Sequence, residues 1–131
     1  MSQENVELTR QAYDAFNRRD LDAFLELMDA DVVLYPRQAA MQGGNHGHAG
    51  VRQWWRDLLD VFPDIAIEVI CVRDLGNLTL ASLRLFGHGA DSESPFDERV
   101  WVISEVRDGK GVWSRVYSTE DDALEAAGLS E

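Results

Sequence analysis

The amino-acid pattern predicts an α+β domain in which three helices lead into a mostly antiparallel sheet. Two observations carry this. Apolar residues up to Phe62 recur at helical spacing, interrupted by one β-branched run. Beyond Pro63 the grammar changes to strand-length runs separated by the turn signals Gly76-Asn77 and Asp108-Gly109. With 131 residues there is room for one domain, spanning residues 1–131. Helices gathered on one side of such a sheet are an α+β arrangement.

Each element follows in order. Residues 3–18 read as a helix, with Val6, Tyr13 and Phe16 near one stripe and Leu8, Ala12 and Ala15 beside it. Asp20 is a candidate N-cap for a second helix, in which Leu21, Phe24, Leu25 and Met28 are spaced i, i+3, i+4 and i+7. Asp29-Ala30-Asp31 would stop that helix. Val32 to Tyr35, bounded by Pro36, reads as a short strand. The glycines between Gly43 and Gly50 predict a loop, and a strong helical period runs from Val51 through Trp54, Trp55, Leu58, Leu59 and Phe62 until Pro63. Strands are expected over Ile65–Val72, Leu78–Phe86, Glu98–Val106 and Val112–Tyr117. Thr119, with Asp122 three residues on, predicts a capped terminal helix that Gly128 closes.

Composition excludes several functions. An apolar fraction of 45% and a charged fraction of 27% suit a folded soluble domain and not a disordered one. The formal net charge of −12 argues against nucleic acid or an anionic membrane as partner, since both repel an anion. No apolar run has the length of a spanning helix, and the opening residues lack a signal-peptide pattern, so a cytoplasmic location is expected. Cys71 is the sole cysteine, which leaves no internal disulfide or cysteine-rich metal site. Inside an apolar strand it reads as packing.

Several motifs, taken together, carry a resemblance. They are Ala12-Tyr13-Asp14-Ala15-Phe16-Asn17-Arg18-Arg19-Asp20-Leu21, Asp29-Ala30-Asp31-Val32-Val33, Gly47-His48-Ala49-Gly50-Val51-Arg52, Arg107-Asp108-Gly109-Lys110 and Ala123-Leu124-Glu125-Ala126-Ala127-Gly128-Leu129. In this order, over residues 3–129, the chain resembles the SnoaL-like branch of the nuclear-transport-factor-2-like superfamily. The resemblance implies a curved sheet wrapped around the three N-terminal helices, a cone-shaped barrel with a deep pocket, and often a homodimer packed through the sheets. It implies no single activity, because the superfamily includes ketosteroid isomerases, polyketide cyclases, dehydratases, epoxide hydrolases and members without known chemistry. The positions that correspond to the isomerase's acids and tyrosine are about Ala12, Tyr35 and Val102, none of which keeps its chemical type; a register shift of one would bring in Tyr13.

The pocket candidates come from alternation and chemistry. Tyr13, Phe16, Tyr35, Trp54 and Phe62 form the expected apolar wall. Ser82, Arg84, Phe86 and His88 share one strand face opposite Ala81, Leu83 and Leu85; Trp113, Arg115 and Tyr117 share another opposite Val112, Ser114 and Val116. The polar faces suit either a pocket wall or an exposed or dimer face. On the first reading His88 is the proton carrier, Tyr35 or Tyr117 a hydrogen-bond donor, and Arg84 or Arg115 an anion stabiliser. Asp97, Glu98 and Glu105 are the acids in the region where cyclases keep a pocket carboxylate. His46-Gly47-His48 reads as a solvated loop rather than a metal site, and no nucleotide cofactor is implied. The function expected is binding, or acid/base conversion, of a small hydrophobic molecule. The alternative is a non-catalytic dimeric carrier or interaction module.

Overall fold

The computed structural model describes residues 2–36, 44–91 and 94–128. The helices are α1 (Ser2–Asn17), α2 (Leu21–Glu26), α3 (Gly47–Val61) and α4 (Glu120–Ala126). The strands are β1 (Met28–Tyr35), β2 (Asn45–His46), β3 (Ala66–Asp74), β4 (Leu78–His88), β5 (Pro95–Arg107) and β6 (Lys110–Tyr117). They form one sheet in the order β2-β1-β6-β5-β4-β3, left open at its ends. All pairings are antiparallel except β1 with β6, which run parallel. The α+β class and the mostly antiparallel sheet are therefore those the sequence predicted, whereas the barrel that the resemblance implies is an open six-stranded sheet.

Local chemistry explains the boundaries. Asp20 caps α2, its Oδ1 accepting from the Ala23 N–H at 3.1 Å. Thr119 caps α4 by accepting from the Asp122 N–H at 3.1 Å. Asp108 (φ 54°) and Gly109 (φ 77°) both take left-handed backbone, as the tight turn between β5 and β6 demands. Two expectations shift. Met28 belongs to β1 and not to the second helix, and α3 begins at Gly47 rather than Val51. Gly47, at φ +70°, turns the chain from β2 into that helix, and the His48 ring nitrogen donates to the Met28 carbonyl at 3.1 Å. The histidines predicted as loop are thus part of a strand end and a helix start. The predicted loop residues 37–43 lie outside the described residues.

The core lies between α1, α2, α3 and the concave face of the sheet. Phe16, fully buried, meets Trp55 at 4.9 Å between ring centroids, and Phe24 meets Trp55 at 5.1 Å. The C-terminus of α1 is fastened to β3 by side chains. Asn17 donates Nδ2 to the Ile67 carbonyl at 2.7 Å and accepts from the Ile67 N–H at 2.9 Å. Arg19 Nη2 donates to the Ile65 carbonyl at 2.7 Å. A second, smaller cluster sits on the convex face, where Ala123 of α4 packs with Leu80 and Ile103.

Cys71 corrects the packing expectation. It is exposed, paired across the sheet with Ser82. The register of β3 shifts between Val69 and Cys71, so Val69 and Val72 both pack against the core while Cys71 turns outward.

Ion pairs concentrate on the convex face. Arg84 donates to both carboxylate oxygens of Asp97, at 2.9 and 2.8 Å, and to Glu68 at 3.2 Å. The Asp64 carboxylate takes the His88 ring nitrogen at 2.9 Å and the His88 backbone N–H at 2.8 Å. The hydrogen bond from His88 holds Asp64 below the usual carboxylate range, and the one from Arg84 does the same for Asp97. Glu105 is lowered by Arg107 and then by Trp113. A carboxylate whose folded value is depressed contributes stability above its unfolded value and loses it as pH falls through the folded one. The contribution of these carboxylates to the unfolding free energy should therefore decline as pH falls below about 4. Urea titrations across that range should show the decline, with a shallower slope in Asp64→Asn and Asp97→Asn. An unchanged slope in both variants would reject the assignment.

Candidate functional site

The helices and the concave sheet face enclose a cavity of about 610 Å³. Alternation selects its walls. Val32 and Leu34 of β1, Leu83 and Leu85 of β4, and Val100 and Val102 of β5 all point inward. From the helices come Tyr13 and Thr9 of α1, Phe24 of α2, and Trp54 and Leu58 of α3. Phe62, just past α3, packs on Phe96 at 4.4 Å between centroids.

Polar groups in the lining are few. Tyr13 is the most distinctive. Its ring lies among apolar neighbours, and no hydrogen-bond partner for its hydroxyl occurs among the described residues. Burial pushes its ionisation well above the usual phenol range, so it stays a hydrogen-bond donor at neutral pH. Ser104 and Ser114, which face each other across β5 and β6, add hydroxyls. Thr9 is already used, donating to the Asn5 carbonyl at 3.0 Å. Asp57, exposed on α3, is the only charged lining residue among those described. Its Oδ1 accepts from Gln53 at 2.8 Å.

Of the residues expected at the pocket, Tyr13, Tyr35, Trp54 and Phe62 line the cavity. Phe16 does not: it sits fully buried behind the wall, against Trp54 and Trp55. Arg84, His88, Arg115 and Tyr117 are absent from the lining and lie on the convex face. Arg84 is held by Asp97 and Glu68 above the Phe86 ring at 4.2 Å, and His88 by Asp64. Arg115 lies over the Tyr35 ring at 4.4 Å, because β1 and β6 place the two side by side. Tyr117 packs with Leu80 and Ile103 near α4. Alternation grouped these side chains correctly, but the aliphatic set of each strand faces the helices and the charged set faces water. Leucines gain by burial, whereas an arginine placed inside would need a paired carboxylate.

The cyclase-type acids are also elsewhere. Asp97 and Glu105 are engaged in ion pairs on the convex face, and Glu98 is exposed. Sequence reasoning missed Asp57 and Ser104 as lining residues. Both carried a signal, since Asp57 stands one helical turn from Trp54 and Ser104 alternates with Val100 and Val102. No group of three or more metal-ligating side chains converges among the described residues.

An open α+β cone with an apolar cavity beneath its helices defines a class of small-molecule-binding folds. A sequence model of the SnoaL-like domain matches residues 9–113, and the chain belongs to that family. Solved structures agree on the fold. An NTF2-like protein of unknown function from Burkholderia pseudomallei superposes with a TM-score of 0.79 at 17% identity, covering 93% of this chain and 95% of that one. A SnoaL-like protein from Jannaschia, a proposed polyketide cyclase, gives 0.79 at 18% identity, covering 99% and 94%. IdmH from Streptomyces antibioticus, also a proposed polyketide cyclase, gives 0.75 at 24% identity, covering 94% and 96%. No curated protein matches the sequence.

Proposed function

We propose that the chain binds one small hydrophobic molecule in the cavity, with the Tyr13 hydroxyl as its polar anchor. The observation that carries this is a phenol hydroxyl with no hydrogen-bond partner among the described residues, in a cavity of about 610 Å³ lined mostly by apolar side chains. An apolar enclosure with a few polar groups is the usual form of a small-molecule site. A carbonyl or hydroxyl of the ligand would take the bond that Tyr13 has to give. Carriage is favoured over acid/base turnover, because the histidine and arginine best suited to proton transfer and anion stabilisation lie on the other face of the sheet. Turnover is the second reading, favoured by the phenol and the carboxylate of Asp57 lining one cavity and by the cyclase assignments of two structural neighbours.

Native mass spectrometry of freshly purified protein should show a retained species above the 14.8 kDa chain, or uptake of a neutral probe such as 1-naphthalenemethanol. Absence of both would sink the reading. Tyr13→Phe should weaken the probe about 3- to 10-fold, the worth of one neutral hydrogen bond. It should not lower stability, since the hydroxyl has no partner among the described residues. Undiminished affinity would show that Tyr13 is wall and not anchor.

The protein is further proposed to work as a homodimer through the convex face of the sheet. There Phe86 and Trp101 lie beneath Arg84 and Arg99, and Ile70 is exposed. Sedimentation at micromolar concentration should give twice the chain mass. A single species of 14.8 kDa would reject it.

A further inference from the structure

We infer that the cavity selects hydrophobic molecules bearing a positive charge, that is, apolar ammonium compounds, over their carboxylate counterparts. The inference rests on the ligand-binding reading above and specifies its substrate class.

The first argument is charge. Asp57 is the one charged side chain in the described lining, and no cation among the described residues pairs with it. Among the described residues its hydrogen bond comes from the neutral amide of Gln53. It stands beside Val61, itself 54% exposed, so it marks an opening of the cavity to solvent. A second depression adjoins the far side, between the start of α1 and the turns that follow β3 and β5. It shares Leu8, Leu27 and Val106 with the main cavity. Its lining adds the carboxylate of Glu7. Low-dielectric walls focus such fields, and the net charge of −12 adds to them.

The second argument is the aromatic lining of the main cavity. Trp54 is one helical turn from Asp57, and its indole stacks on Phe24 at 6.0 Å between centroids. Tyr13 and Phe62 complete an aromatic wall. Aromatic faces attract cations but offer a carboxylate nothing. A carboxylate entering this space would shed its water, and no lysine or arginine stands in the described lining to receive it. An ammonium would exchange its water for ring faces and the Asp57 carboxylate.

The test uses three compounds of one shape, measured by isothermal titration calorimetry on the full chain at neutral pH. They are 1-naphthylmethylammonium, 1-naphthalenemethanol and 1-naphthoate. The ammonium should bind about 5- to 10-fold tighter than the alcohol, the worth of one partly screened charge pair. The naphthoate should bind more weakly than both. Raising the salt should shrink the ammonium's advantage, and Asp57→Asn should bring it close to one. The salt series uses the unaltered chain, so it decides the matter even where the variant is unstable. An ammonium no tighter than the alcohol, or a naphthoate as tight as the alcohol, overturns the charge selection while leaving the ligand-binding reading standing. An advantage untouched by both salt and Asp57→Asn also overturns it. Failure of all three compounds to bind overturns both.

Discussion

Trp55→Ala should lower the unfolding free energy by about 3–5 kcal/mol, the cost of removing a buried tryptophan from a core. Trp55 is only 6% exposed and makes edge contacts with both Phe16 and Phe24. Those three rings join α1, α2 and α3, so the lost contacts are shared by every helix that covers the concave face. Collapse around the gap would require the helices to move together, which keeps the cavity term large. Its neighbour Trp54 should behave differently. Successive helical positions diverge by about 100°, and Trp54 is turned to the cavity and only half-buried. Trp54→Ala enlarges a space that already exists. It should cost clearly less stability and should weaken a neutral aromatic probe. Chemical denaturation of the two variants, beside probe titration, separates the roles. Equal and small stability losses would mean that the buried face of α3 is misassigned.

Asn17→Ala should cost about 1–3 kcal/mol, because it strips partners from one backbone donor and one acceptor together. The Asn17 amide acts as a strand partner, filling both the N–H and the C=O of Ile67 on β3, the edge strand. Ile67 lines the cavity, so the same amide sets where the cavity wall stands relative to α1. Asn17→Asp is the informative companion: it still accepts from the Ile67 N–H but has nothing to give the carbonyl. Its loss should fall between wild type and Asn17→Ala. Hydrogen exchange at the Ile67 amide reads the same contact locally. It should accelerate in Asn17→Ala far more than in Asn17→Asp, and parity between them would reject the pairing.

Sequence alone determined the kinds and order of the elements. The stripe in α3, the caps at Asp20 and Thr119 and the turn at Asp108-Gly109 are local signals, written in side chains a few residues apart. It also grouped the strand side chains into alternating sets. Three things depended on distant parts of the chain. The first was which set faces inward: Leu83 and Leu85 or Arg84 and His88 are equally consistent with alternation until α1 and α3 cover one face of the sheet. The second was the shift after Val69, which exposes Cys71 and is visible only against the register of β4. The third was the company kept by Tyr13 and Asp57, which share a cavity although they sit on separate helices. Periodicity reports what repeats along one element. The inside of a sheet is defined by what packs on it, and that choice minimises the cost of buried charge over the whole molecule.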